Sequence, residues 1–178
     1  MKNSLFTYLI TSLVFMLAAG TATAQQDYNL TGGNGTPEMV NLGLRMRVDQ
    51  KQYGLSIGTN LAYKNQNFNI SADYYYHFAG NSGYTSLRPW FIKSGLTFLS
   101  SEGEWEKRTN LLLVPRLGRE FNLTSEFGVA LEVGLMLMLM DQNKAKKTRT
   151  DEVTGDLDVI GSDVLQPSAG LKIFYRLF

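Results

Sequence analysis

The sequence predicts an all-β protein: an antiparallel up-and-down transmembrane β-barrel of eight strands, the first of them short or irregular. Three observations predict it. The chain starts with an export leader, most of the remainder alternates apolar and polar residues with a period of two, and no later apolar run is long enough for a membrane helix.

In the leader, Lys2 precedes an apolar run from Leu5 through Ala19, and small residues follow up to Ala24. A charged start, an apolar core and an Ala-x-Ala site at Ala22-Thr23-Ala24 are the parts of a Sec-type secretory signal peptide. Residues 1–24 are therefore set aside, leaving 25–178 as one barrel domain. A transmembrane anchor is the alternative, but the apolar core falls short of a span of about 20 residues. The chain has no cysteine, so neither a lipid-modified cysteine nor a disulfide is available to it.

Charge is balanced, with 17 basic and 16 acidic residues, and the leader removes only Lys2. A balanced chain offers no electrostatic case for nucleic acid as a partner. With no second run of about 18 apolar residues, any membrane passage after the leader must use strands.

The strands appear in order as alternating segments. Val40, Leu42, Leu44, Met46 and Val48 share one face, opposite Asn41, Gly43, Arg45 and Arg47. After Asp49-Gln50-Lys51, the residues Tyr53, Leu55, Ile57, Leu61 and Tyr63 alternate with Gln52, Gly54, Ser56, Gly58 and Asn60. After Lys64-Asn65-Gln66, Phe68, Ile70, Ala72, Tyr74, Tyr76 and Phe78 oppose Asn67, Asn69, Ser71, Asp73, Tyr75 and His77. A Gly-Asn-Ser-Gly turn at 80–83 leads to a strand from Leu87 to Leu99, with Trp90, Ile92, Leu96 and Phe98 opposite Phe91, Lys93, Gly95 and Thr97.

From Arg108 to Phe121, Leu111, Leu113 and Leu117 oppose Asn110, Leu112, Arg116, Gly118 and Glu120. From Phe127 to Leu139, alternate Phe, Val and Leu residues oppose Gly128, Ala130, Glu132, Gly134, Met136 and Met138. In the last strand Leu171, Ile173, Tyr175 and Leu177 oppose Gly170, Lys172, Phe174 and Arg176.

The apolar faces hold too many large side chains for the interior of a small closed sheet, which barely accommodates its own lining. Directed outward to lipid, they leave a lumen of Gly, Asn and Ser with ten charges: Arg45, Arg47, Asp73, Lys93, Arg108, Arg116, Glu120, Glu132, Lys172 and Arg176. Opposite signs are required there, because a buried charge is tolerable only when paired. Aromatic residues gather near strand ends, as at Tyr53, Tyr63, Phe68, Phe78, Trp90, Tyr175 and Phe178, where interfacial girdles occur. A β-sandwich is the soluble alternative, since two sheets could bury these apolar faces against each other.

Seven strands are read directly, whereas single-chain bacterial barrels close with an even number. The eighth is expected before Val40. There Asp27-Tyr28-Asn29-Leu30-Thr31 alternates briefly ahead of Gly32-Gly33-Asn34-Gly35, which reads as a turn. A misread long strand elsewhere is the alternative.

The leader, the repeated amphipathic strands and the terminal Gly170-Leu-Lys-Ile-Phe-Tyr-Arg-Leu-Phe178 together resemble the small eight-stranded bacterial outer-membrane barrels, the OmpA/OmpX-like class, over essentially residues 26–178. The resemblance implies insertion in outer-membrane lipid and recognition of the C-terminal strand by the barrel-assembly machinery. One departure is that Phe178 lies in phase with Arg176, Phe174 and Lys172, not with Leu177, Tyr175 and Ile173.

With Phe178 periplasmic, the segments 141–163, 100–107 and 64–66 are expected outside the cell, and 49–51, 79–86 and 122–124 in the periplasm. The 141–163 segment carries Lys144, Lys146, Lys147 and Arg149, then Asp151, Glu152, Asp156, Asp158 and Asp163. Blocks of opposite sign fit a solvated hairpin, or a contact surface for polar headgroups or a surface partner.

Catalytic chemistry finds little support. His77 is the single histidine, with Ser71, Asp73 and Tyr75 on its face. Lipid A-modifying barrels use a His with a Ser and an acidic residue, but Tyr76-His77-Phe78-Ala79 has no Ser beside the His. A hydrogen-bonded lumenal His is the simpler reading. Glu120 and Glu132 read as lumen charges, and Met136, Met138 and Met140 as lumenal gap-fillers. Gly32-Gly33-Asn34-Gly35 lacks the Lys-Ser/Thr of a phosphate loop, and no metal or cofactor motif is present.

The expected function is that of a non-enzymatic outer-membrane barrel serving envelope integrity, surface interaction or assembly through extracellular loops. A narrow transport or lipid-handling barrel, or an enzyme acting on outer-leaflet lipid, is the alternative. Eight strands leave little room for an aqueous channel, which porins build from 16–18.

Overall fold

The computed structural model describes residues 27–60, 66–102, 106–145 and 165–177. The expected leader, Leu61 to Asn65, most of the 141–163 segment and Phe178 lie outside the described residues. Eight strands follow in order: β1 (Asp27–Gly35), β2 (Met39–Val48), β3 (Lys51–Thr59), β4 (Gln66–Ala79), β5 (Trp90–Glu102), β6 (Glu106–Asn122), β7 (Phe127–Ala145) and β8 (Leu165–Leu177). Each pairs antiparallel with its neighbours, and β1 pairs with β8 from Tyr28↔Leu177 to Gly35↔Gly170, so the sheet closes. One closed sheet excludes the sandwich.

Alternation sets the two faces. In β3 the inward Gln52, Gly54, Ser56 and Gly58 are buried, while the outward Tyr53, Leu55 and Ile57 are exposed. The other strands follow the same alternation, so large apolar side chains cover the outer wall, while the inside is lined by polar and small residues together with a few large ones such as Tyr75, Phe91 and Phe174.

The first strand is longer than the sequence suggests. Gly32 to Gly35 belong to β1, and the connection to β2 is Thr36-Pro37-Glu38. These glycines serve close approach between strands instead of a turn. A Cβ at Gly33 would lie 2.4 Å from the Leu171 carbonyl oxygen, and one at Gly35 2.7 Å from that of Ala169. The chain then reverses through Met39, at φ 53°, a conformation that a Cβ disfavours.

Two other expectations change. The strand read from Leu87 begins at Trp90, and Leu87 belongs to the 80–89 connection, where its side chain is buried. Met140 is not lumenal: the β6–β7 register shifts between Leu111↔Met140 and Leu112↔Met138, so Leu139 is an extra residue. Such a bulge reverses the facing of the residues beyond it, placing Met140 beside the outward Leu111 with 41% of its surface exposed.

The 80–89 connection folds back over the end of the barrel that carries the chain termini. Arg47 donates to Ser86 Oγ (2.7 Å) and Thr85 Oγ1 (3.2 Å), Gln50 Nε2 donates to the Ser86 carbonyl (2.9 Å), and the Glu120 amide donates to the Pro89 carbonyl (2.9 Å). At the opposite, far end the Thr36–Glu38 connection turns into the lumen.

Candidate functional site

The interior is the chemically distinctive part of the molecule. Of the ten charges that the sequence directs inward, Arg45, Asp73, Lys93, Arg116, Glu120, Glu132, Lys172 and Arg176 are buried. Strand alternation accounts for their direction, and barrel closure brings residues as distant in sequence as Arg45 and Glu132 together.

Glu132 on β7 is the hub. It lies 2.9 Å from Arg116, 3.4 Å from Arg45 and 3.5 Å from Lys93. Lys93 Nζ also meets Glu38 at 2.8 Å and Asp73 at 3.2 Å, and Lys172 approaches Asp73 at 3.7 Å. Glu120 joins Arg45 at 3.5 Å to Arg176 at 3.4 Å. Arg116 further donates to Ser168 Oγ (2.7 Å), to the Thr36 carbonyl and to Glu38. Every cation thus faces a carboxylate, which is the condition for keeping charge in a low-dielectric interior.

The remaining two charges stand apart. Arg47 is half-buried at the termini end, paired with Asp27 at 3.2 Å. Arg108 is at the far rim, its side chain 45% exposed and paired with Asp141. It does not reach the network because the strands there extend beyond the filled part of the lumen.

Glu38 is the residue that sequence reasoning missed. Fully buried, it is carried into the lumen by the first connection and holds both Lys93 and Arg116. A signal for it existed. The ten inward charges comprise seven cations and three carboxylates, an excess that a low-dielectric interior does not tolerate, and Glu38 and Asp49 are the acidic residues on the short connections that flank β2.

Toward the termini end the lumen is filled differently. Tyr75, Phe91, Ala130 and Phe174 form a buried apolar cluster, with Tyr75 and Phe91 edge-to-face at 5.4 Å. The two layers interlock: Arg45 lies over the Tyr75 ring at 4.2 Å, Arg176 over Phe174 at 4.7 Å, and the Tyr75 hydroxyl donates to Asp73 (3.2 Å).

His77 faces the lumen and is fully buried. Its Nδ1 lies 2.6 Å from the Arg88 carbonyl, and its ring packs on Phe91 at 5.1 Å. Ser71 bonds instead to Thr97 (2.9 Å) and Asp73 to Tyr75. These bonds tie His77 to the folded-back connection and do not join it to Ser71 or Asp73. Among the described residues no group of three His, Asp or Glu side chains is arranged to hold a metal ion.

The outer wall carries a recess of about 970 Å³, lined mainly by outward apolar side chains such as Leu30, Leu44, Leu55 and Ile70. Most of its lining belongs to the exterior belt, and Arg45 and Asp73 of the ionic interior border it from behind the wall.

Fold and interior together define a class: a closed eight-stranded antiparallel barrel with an ion-paired lumen and an apolar outer wall. Compared with protein-family models, with curated proteins and with solved structures, the chain matches none.

Proposed function

We propose that the protein is a bacterial outer-membrane barrel without enzymatic activity, serving envelope integrity, surface interaction or assembly through its extracellular loops. The observation that carries this reading is the inverted distribution of polarity, with large apolar side chains exposed on all eight strands around a charged, filled interior. Soluble monomers rarely expose contiguous apolar patches beyond a few hundred Å². Hydrocarbon accepts such a wall, provided that closure satisfies the backbone hydrogen bonds.

The ionic and aromatic layers support a lumen that blocks free passage. Its partners under this reading are outer-membrane lipid along the wall, the barrel-assembly machinery at β8, and a surface partner at the charged 141–163 segment. Planar-bilayer recording of the purified, reconstituted protein tests the blocked lumen: no stepwise conductance is expected, and stable ohmic steps would favour a transport barrel. An epitope placed after Lys147 should be labelled on intact cells, and labelling only after lysis would reverse the orientation.

A further inference from the structure

Among strand residues whose side chains are described, Lys51 and Arg119 are the charged groups on the outward face. Lys51 is the first residue of β3 and can extend past the wall. Arg119 lies within β6, three positions before its end, with Trp90 as its cross-strand partner on β5 and Leu131 on β7. Its guanidinium lies 5.3 Å from the Trp90 ring centre and 5.1 Å from that of Phe121. Among the described residues no carboxylate pairs with it.

The Trp90 side of the clamp is close-packed. Trp90 and Pro89 pack against Gly80, at φ +85°, where a Cβ would lie 2.8 Å from Pro89 and 3.3 Å from Trp90. Two rings beside one guanidinium leave its N–H edge as the part free to bind, and an arginine stays charged at any physiological pH.

We propose that Arg119, held between Trp90 and Phe121, binds the phosphodiester of a glycerophospholipid in the leaflet bordering the termini end. This rests on the membrane reading above. A guanidinium matches a phosphate with paired, charge-assisted hydrogen bonds. A cation on a lipid-facing barrel wall costs about 2–4 kcal/mol at the bilayer midplane but about 0–1 kcal/mol near the interface. Flanking aromatic rings are the groups that mark that interface. The site therefore sits where a cation is cheap to place and a phosphate is within reach.

The test uses the full mature chain in vesicles of phosphatidylcholine and phosphatidylglycerol, followed by native mass spectrometry of detergent-released protein. Phosphatidylglycerol adducts should fall about tenfold in Arg119→Gln, the loss of one charge-assisted contact, with partial retention in Arg119→Lys. Excess inorganic phosphate should not displace them. In parallel, with Trp105→Phe leaving Trp90 as the single tryptophan, lipids brominated on the acyl chain should quench its fluorescence. Equal adducts in wild type and Arg119→Gln, with Trp90 quenched in both, would overturn the phosphate site and leave the membrane reading standing. Absence of quenching would overturn both, and displacement by inorganic phosphate would replace the lipid with a free-anion site.

Discussion

Toward the far end the lumen is filled by Glu38, Asp73, Lys93, Arg116, Glu132 and Lys172; toward the termini end it is filled by Tyr75, Phe91, Ala130 and Phe174, bordered by the Glu120–Arg176 pair. The ionic layer is held by charge balance. Each member has paid desolvation on burial, so removing one partner leaves the others uncompensated. The aromatic layer is held by shape, and its sensitivity is to volume. The contrast teaches that one closed wall can be cross-braced from inside by two kinds of interaction, one failing when a charge is lost and the other when a methyl group is gained.

The largest effect is expected at the hub. Glu132→Ala leaves Arg45, Lys93 and Arg116 each short of a carboxylate, and should destabilise the barrel by about 3–5 kcal/mol in urea unfolding from detergent or vesicles. A loss below about 1 kcal/mol would mean that water or the remaining carboxylates compensate, and the two layers would no longer differ in kind.

Next comes the aromatic layer. A Cβ on Gly118 would lie 2.3 Å from Phe91 Cζ and 2.8 Å from the Leu131 carbonyl oxygen. Gly118→Ala should cost about 1–3 kcal/mol, as overpacking does. Adding Phe91→Leu should recover part of that loss, because the ring yields where the backbone oxygen cannot, and strict additivity of the two changes would argue against direct contact.

Smallest is the exposed pair at the far rim. Arg108→Gln breaks the contact with Asp141, and its effect should stay within about 0–1 kcal/mol and vanish in molar salt. The Glu132→Ala loss should persist in the same salt, since buried pairs are weakly screened. A salt-sensitive Glu132→Ala loss would place the network in contact with bulk solvent.

Much of this architecture is legible because a barrel strand writes both of its faces into the sequence. From Gln52 to Gly58, and from Asn67 to Phe78, alternation identifies the inward and outward sets residue by residue. Legibility fails where something other than alternation decides. Gly32 to Gly35 read as a turn because glycine serves turns and close strand contacts alike, and only the neighbouring strand β8 distinguishes the two. Alternation puts Met140 on the wrong face because one extra residue at Leu139 inverts the phase, and no local composition marks it. Glu38 is not legible from alternation because its connection re-enters the barrel, although the excess of inward cations implies a further carboxylate. Alternation also says nothing of height along the barrel, so Arg108 shares a face with charges that it does not meet.

The central claim is that the apolar wall faces lipid around an internally braced interior, and gel mobility of the outer-membrane fraction, with and without boiling, tests it most directly. A barrel closed by β1–β8 pairing and cross-braced by Glu132 should stay folded in detergent until heated and then change mobility. A protein recovered in the soluble periplasmic fraction, with the same mobility before and after boiling, would contradict the lipid-facing assignment.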